Sequence, residues 1–235
     1  TLNRMLRAGE LDLSVISTFE YLKNSQLYTL LPDLCINSTG YVRSVLLYSR
    51  FPLKALKGQR ILMTAESATS THLLKILLSM KGIIPASLTC FKDLNEVVDA
   101  AAVLLIGDGA LSFSAPGFSH VFDLAHEWTQ ATALPVVFAL WALNGRLADH
   151  DKALVKLVHN QLIRARHYLL AHPREVAGEA RLRYPHIKLD FIDYYQRLDF
   201  TLSRACINSI CFYEQKLVEM GLLGGGASIT MADLH

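Results

Sequence analysis

The sequence has 235 residues, of which 51% are hydrophobic and 19% are charged. This length and composition suffice for one large domain or two lobes with a sizeable core. The formal net charge is only +2, and the scattered lysines and arginines do not indicate a nucleic-acid partner. The longest apolar stretch, 134–143, contains Pro135 and is too short for a membrane helix, so no membrane partner is expected.

The chain offers little that is typical of a metal or redox site. Its nine histidines have no metal-ligand spacing, and His126-Glu127 lacks the second histidine of a zinc helix. The four cysteines form no CxxC pair, and we expect reduced, buried thiols of a cytoplasmic protein, although two disulfides stay open. These cysteines are Cys35, Cys90, Cys206 and Cys211. We expect neither a metal nor another cofactor.

The pattern of apolar residues predicts alternating strands and helices up to residue 143. The predicted strands are 11–16, 28–36, 44–49, 60–64, 86–91, 101–106, a short edge strand at 120–123, and 136–143. The predicted helices are 18–24, a turn at 53–57, 69–81, 93–99 and 124–131. Beyond Asp149 the pattern is helical, with a glycine-rich tail at 221–226. Such alternation is typical of an α/β protein with mostly parallel sheets.

The helical C-terminal third predicts a chain that returns to its first sheet. These helices have no strands of their own, so they must pack on a sheet built earlier, most simply the first. We therefore expect two lobes, one formed by 1–49 and 138–235 and the other by 50–137. Ligands of such sheets bind at the carboxyl ends of strands, which predicts a ligand cleft between the lobes. The first residues look like the end of a helix that stops at Gly9, so we expect an N-terminal segment before Thr1 and leave an export signal open.

Two strand ends carry residues with an ambiguous role. The predicted strand 60–64 leads into Ser67, Thr69 and Ser70 at a helix start, where hydroxyls cap the helix and backbone N–H groups can bind a carboxylate or phosphate. Gly107-Asp108 follows a continuous apolar strand, and it fits either a tight turn with a capping aspartate or a ligand-facing loop. The residues alone do not decide between these interpretations.

Hydroxyl side chains dominate the remaining polar positions at strand ends, including Ser14, Ser17 and Ser44. A hydroxyl-lined cleft with helix N-termini suits an organic anion, whose carboxylates would accept charge-assisted hydrogen bonds. GxSxG, P-loop and GxGxxG motifs are absent from the sequence. The sequence therefore does not indicate covalent catalysis.

Five segments of the chain are distinctive in combination: 9–17 with Glu20-Tyr21, 44–50, 66–70, 104–108, and 123–128 running into 132–141. Together they resemble the chorismate dehydratase family of the futalosine pathway to menaquinone. The resemblance implies a two-lobed type II periplasmic-binding-protein fold and a lyase without a cofactor. The implied reaction removes water from chorismate to give 3-[(1-carboxyvinyl)oxy]benzoate, with the substrate's own carboxylate as the hypothetical base.

The resemblance also implies site residues. One is catalytic, Ser44, and six bind substrate: Ser17 and Glu20 at the first-lobe edge, Ser67, Thr69 and Ser70 at the helix start, and Asp108 in a second-lobe turn. The family's functional asparagine in an N-terminal Tyr-Leu-Asn motif is not found in this chain. Ala133 stands where the family usually has glycine, with little expected effect.

Two alternatives stay open beside this interpretation. The sister family that makes 1,4-dihydroxy-6-naphthoate has the same fold, but it typically has a histidine where this chain has Gly107-Asp108. A solute-binding protein that captures an organic anion without reaction would also fit the hydroxyl-lined cleft. In each case the expected partner is a small molecule, and the sequence predicts no oligomeric state.

Overall fold

The computed structural model describes residues 2–114, 116–145 and 151–234. The strands are β1 (Leu13–Ser17), β2 (Tyr28–Ser38), β3 (Val45–Ser49), β4 (Arg60–Met63), β5 (Ser87–Cys90), β6 (Ala102–Ile106), β7 (His120–Asp123) and β8 (Val136–Asn144). The helices are α1 (Leu2–Arg7), α2 (Thr18–Lys23), α3 (Ala68–Met80), α4 (Gly107–Ser112), α5 (Leu124–Thr132), α6 (Lys152–Ala171), α7 (Pro173–Arg183), α8 (Phe191–Arg197) and α9 (Arg204–Glu219). Short 3₁₀ turns cover Ser25–Leu27, Leu53–Leu56 and Leu94–Asp99.

The chain folds into two compact units. Unit 1 comprises the described residues within 1–37, 137–179 and 198–235, and unit 2 those within 38–136 and 180–197. The predicted boundaries placed 38–49 and 180–197 in the first lobe, whereas in the structure both segments pack with unit 2. The reason is that β3 pairs with two strands of the second sheet, so the chain has already left unit 1 when β3 begins.

Unit 1 is built on a three-stranded sheet with the strand order β1-β8-β2. β1 and β8 are antiparallel, and Val15 lies opposite Trp141 in their register. A core cluster of Leu31, Leu34, Leu143 and Val155 packs the sheet against the first turn of α6. The helical C-terminal third therefore contributes to the first sheet as expected, apart from residues 180–197.

Unit 2 is built on a five-stranded mixed sheet with the order β5-β4-β6-β3-β7. β4 runs parallel to β5 and β6, whereas β3 runs antiparallel to β6 and β7. The prediction of mostly parallel sheets is therefore wrong, because the apolar pattern that identifies a strand carries no information about its direction. The placement of β7 at an edge is confirmed.

The core of unit 2 follows from the continuous apolar run of β6. Val103 and Leu105, on one face, are buried in a cluster with Leu62 and Ala110. Ala102 and Leu104, on the other face, are also buried, as expected for a central strand covered on both faces. Within the described residues, no helix combines the length and apolar character that crossing a membrane requires.

Candidate functional site

One edge of the unit 2 sheet collects most of the predicted site residues. Val45 at the start of β3 lies opposite Ile106 at the end of β6, and β4 runs parallel to β6, so it ends at the same edge. The Gly107 N–H donates to the carbonyl of Ser44 at 2.8 Å. Ser44 therefore lies at the edge where α3 and α4 begin, in the position where α/β sheets bind ligands.

The backbone before Ser44 is held in an unusual conformation by a buried aspartate. Arg43 has a φ of 64°, a left-handed conformation that is unfavourable for a residue with a Cβ. Asp123 Oδ2 accepts the N–H groups of Val42 at 2.9 Å and Arg43 at 2.6 Å. Burial raises the pKa of Asp123, and its backbone hydrogen bonds oppose that shift. The same carboxylate caps α5 through its other oxygen, so it ties Ser44 to that helix.

The Ser44 side chain is contacted by a residue that the sequence analysis did not identify. Ser44 is only 7% exposed, and the hydroxyl of Tyr194 in α8 donates to its Oγ at 3.1 Å. Burial raises the pKa of Tyr194, and the nearby Asp108 carboxylate acts in the same direction. The phenol is therefore a neutral donor at neutral pH. No motif could have revealed Tyr194, because it lies 150 residues from Ser44 along the chain.

Two arginines flank the residue before Tyr194. Asp193 forms an ion pair with Arg43 at 3.2 Å, and Arg197 donates to both of its oxygens at 2.7 and 2.9 Å. The hydrogen bond from Arg197 lowers the pKa of Asp193, and the charges of Arg197 and Arg43 add to that effect. Ser38 Oγ donates to the Arg197 carbonyl at 2.9 Å. These contacts hold the short helix α8 against the segment that carries Ser44.

The start of α3 confirms the capping prediction for Ser67. Its Oγ accepts the Ser70 N–H at 3.1 Å and donates to Ser70 Oγ at 2.9 Å. The side chains of Thr69 and Ser70 are each 1% exposed, whereas Ala68 is half-buried. Anion binding by these three hydroxyl residues stays a prediction. Ser67 and Ala68, which are half-buried, are the part of this helix start that is open to a ligand.

Asp108 lies in the first turn of α4 and is exposed. The helix has no side-chain cap at its N-terminus, so Asp108 does not act as the capping aspartate of a tight turn. Its main-chain carbonyl accepts a hydrogen bond from Ser112 Oγ at 2.6 Å. A ligand contact of Gly107-Asp108 stays a prediction.

Ser17 belongs to unit 1, where it caps α2. Its Oγ accepts the Glu20 N–H at 3.2 Å. The Asn3 side chain makes two further hydrogen bonds to Ser17, from Nδ2 to Oγ at 3.0 Å and from the Ser17 N–H to Oδ1 at 3.1 Å. These contacts fix the end of β1 to α1, and a substrate contact of Ser17 stays a prediction.

Glu20 lies next to this cap, with its carboxylate inside a polar network. Arg7 pairs with it at 2.9 Å, the hydroxyl of Tyr28 donates at 2.9 Å and Asn24 Nδ2 donates at 3.0 Å. The side chain of Glu20 is only 9% exposed. A buried carboxylate needs such partners to offset its desolvation. The network therefore explains this glutamate structurally, and its predicted contact with substrate remains untested.

The cysteines are all free. The expectation of buried thiols is wrong for Cys90, at the end of the edge strand β5, and for Cys211 on an exposed face of α9. Cys35 and Cys206 are buried and both donate to the Thr201 carbonyl. No three His, Cys, Asp or Glu side chains in the described part of the chain could together hold a metal ion. The cytoplasmic location stays a prediction.

The chain is similar to enzymes and to a binding protein of known structure. It is 38% identical over 197 residues to chorismate dehydratase of Thermus thermophilus, an alignment that covers 77% of this chain and 70% of that enzyme. It is 29% identical over 183 residues to 1,4-dihydroxy-6-naphtoate synthase of the same organism, covering 77% of this chain and 65% of that one. The second alignment thus spans less than two thirds of its relative.

Similarity of structure establishes the fold. The alkanesulfonate-binding protein SsuA from Xanthomonas axonopodis pv. citri, bound to MOPS, superposes with a TM-score of 0.69 at 14% identity. The superposition covers 98% of this chain and 82% of that protein. The predicted type II periplasmic-binding-protein fold is therefore confirmed. A family model described as menaquinone biosynthesis matches residues 1–218, so the chain belongs to the menaquinone biosynthesis family.

Proposed function

We propose that this member of the family is a chorismate dehydratase, a lyase that converts chorismate into 3-[(1-carboxyvinyl)oxy]benzoate and water. The observation that carries the proposal is the Ser44 hydroxyl, which accepts a hydrogen bond from Tyr194 at the edge where α3 and α4 begin, with Asp108 in the first turn of α4. The 38% identity to chorismate dehydratase supports this choice of reaction. Chorismate has carboxylates and a ring hydroxyl, and the polar groups at this sheet edge can bind both.

Different polar groups at this sheet edge suit different groups of the substrate. Chorismate carries two carboxylates and a ring hydroxyl. Backbone N–H groups at the start of α3 favour a carboxylate, whereas the side chain of Asp108 can accept a hydrogen bond from a hydroxyl. Ser44 can donate to a substrate oxygen. This arrangement orients the ring with its hydroxyl toward Asp108 and Ser44, and a carboxylate toward α3.

The chemistry demands orientation more than a strong catalytic group. The reaction breaks one ring C–H bond and the C–O bond of the ring hydroxyl, and the hydroxyl leaves as water with a proton. The electron pair of the broken C–H bond completes the aromatic ring, so the step is downhill. We propose that the substrate's own side-chain carboxylate takes the ring proton and passes it to the hydroxyl, which leaves as water. The protein then contributes alignment and hydrogen bonds to the departing oxygen.

The similarity to 1,4-dihydroxy-6-naphtoate synthase makes that enzyme activity an alternative to the proposed one. A protein that binds an organic anion without reaction is the other alternative, because the fold is shared with solute-binding proteins such as SsuA. Both predict that chorismate is not converted. A single assay with chorismate therefore separates the proposal from both of them.

Replacing Ser44 with alanine tests the proposed role most sharply. Purified wild-type protein should remove the diene absorbance of chorismate, and Ser44→Ala should lower kcat about ten-fold or more, the loss expected for one transition-state hydrogen bond. Ser87→Ala is the matched control, because this serine lies at the amino end of β5 in the same sheet. Turnover of Ser44→Ala at the wild-type rate would remove Ser44 from the reaction.

A further inference from the structure

The contact between Tyr194 and Ser44 has a defined direction. A phenol is more acidic than an alcohol, so the Tyr194 hydroxyl is the better donor and Ser44 Oγ the better acceptor. A serine hydroxyl has one proton and two lone pairs. The hydrogen bond of 3.1 Å occupies one lone pair of Ser44 and leaves its proton for another acceptor. Among the described residues, the structure records no protein acceptor for that proton.

The donor itself is held firmly. Asp193, the neighbour of Tyr194 in α8, is bound by Arg43 and Arg197. Arg43 directly precedes Ser44 in the chain and has the left-handed backbone fixed by Asp123. Both partners of the hydroxyl pair are thus anchored through their sequence neighbours. Such anchoring fixes a side-chain torsion that a serine would otherwise sample among three staggered positions.

We propose that Tyr194 is a positioning residue of the reaction: its hydroxyl holds Ser44 in the orientation in which the serine proton faces a substrate oxygen. The inference rests on the proposed function, because it assigns Tyr194 a role in that same reaction. Tyr194 acts through Ser44, and its hydroxyl also polarises the serine O–H bond, since hydrogen bonds in a chain strengthen one another. Loss of the phenol oxygen should weaken catalysis more than substrate binding.

Four proteins test this role: wild type, Tyr194→Phe, Ser44→Ala and the double variant. Tyr194→Phe keeps the ring and removes only the hydroxyl. We expect kcat for chorismate to fall about five-fold, the value of one ordinary hydrogen bond, with KM changed less than about two-fold. In the Ser44→Ala background, the same substitution should change kcat less than about two-fold, because the group through which Tyr194 acts is gone. Tyr195→Phe, which removes a hydroxyl from the adjacent half-buried tyrosine of α8, should behave as wild type.

The outcomes of these measurements distinguish failure of the role proposed for Tyr194 from failure of the proposed function. An equal loss of kcat from Tyr194→Phe in both backgrounds would assign Tyr194 a merely structural role and overturn the inference, as would wild-type kinetics of Tyr194→Phe. In either case, conversion of chorismate by the wild-type protein would still support the proposed function. A wild-type protein that does not convert chorismate would overturn the proposed function and this role together.

Discussion

The carboxylate of Asp193 stands between two arginines next to the tyrosine that contacts Ser44. The hydrogen bond from Arg197 lowers its pKa below the ordinary value of 3.8, and the charges of Arg197 and Arg43 assist. A carboxylate whose pKa is lowered by folding contributes stability above its unfolded pKa and loses it as the pH falls through the folded value. We therefore expect the stability that Asp193 contributes to unit 2 to be lost in acid.

Asp193→Asn tests this dependence on pH. Urea unfolding should show wild type to be more stable than the variant at about pH 6, and the difference should shrink as the pH falls from about 5 to about 2. Asp99→Asn, at an exposed aspartate of the same unit, is the control for the loss of one carboxylate without these two arginine contacts. A difference between wild type and Asp193→Asn that stays constant over the acid range would show that the ion pairs do not stabilise the fold.

Residue-level prediction from the sequence succeeded where the chemistry is local. Ser67 was identified as a cap because its hydroxyl serves the helix that immediately follows it. Tyr194 could not be found, since its partner lies in another part of the chain and its own surroundings in sequence show no pattern. The network around Glu20 was missed in part for the same reason: only Asn24 lies within one helical turn of it.

At the level of elements, α5 ends on a residue whose backbone favours glycine. Ala133 follows the last helical residue with a φ of 58° and a ψ of 17°. A left-handed residue after a helix is commonly glycine, because a Cβ is unfavourable there. This backbone favours glycine at this position and gives a physical reason for a stability cost of alanine.

Ala133→Gly should therefore stabilise the protein. Relief of the left-handed alanine exceeds the extra chain entropy of glycine, so we expect the free energy of unfolding to rise by about 0.5–1 kcal/mol. Ala131→Gly, two residues earlier inside the same helix and exposed, should lower it by about 0.5–1 kcal/mol. The urea midpoints of the two variants should move in opposite directions. A destabilised Ala133→Gly would contradict the assignment of strain to this residue.

Most elements could be predicted from the sequence, although their arrangement could not. Up to residue 143, the strands and most of the helices were found within about three residues of their ends, because apolar periodicity and capping residues are local signals. The short helix α4 was expected as a turn or loop, and no bounds were predicted for the helices of the C-terminal third. The direction of β3 was missed, since strand pairing depends on partners distant in sequence. For the same reason, the first segment of the first lobe was predicted to end at residue 49, whereas in the structure the first segment of unit 1 ends at residue 37.

At the scale of the whole molecule, the two units differ in what they contribute to the candidate site. Unit 2 brings Ser44, Asp108 and the start of α3 to one sheet edge. The sequence predicted Asp108 and the start of α3 in the second lobe, but it placed Ser44 in the first, because the pairing of β3 with distant strands has no local signal. Unit 1 holds Ser17 and Glu20 in networks of their own. The proposed chemistry therefore depends on residues of unit 2, and membership of the family supports the reaction proposed for them.

Identification of the product formed from chorismate tests the central claim most directly. Purified protein should convert chorismate into one equivalent of an aromatic enol ether, lighter than the substrate by one water, as shown by mass spectrometry and by the aromatic signals in the proton NMR spectrum. Elimination is the only outcome consistent with a dehydratase. Recovery of unchanged chorismate, or formation of an isomer of the same mass, would contradict the account.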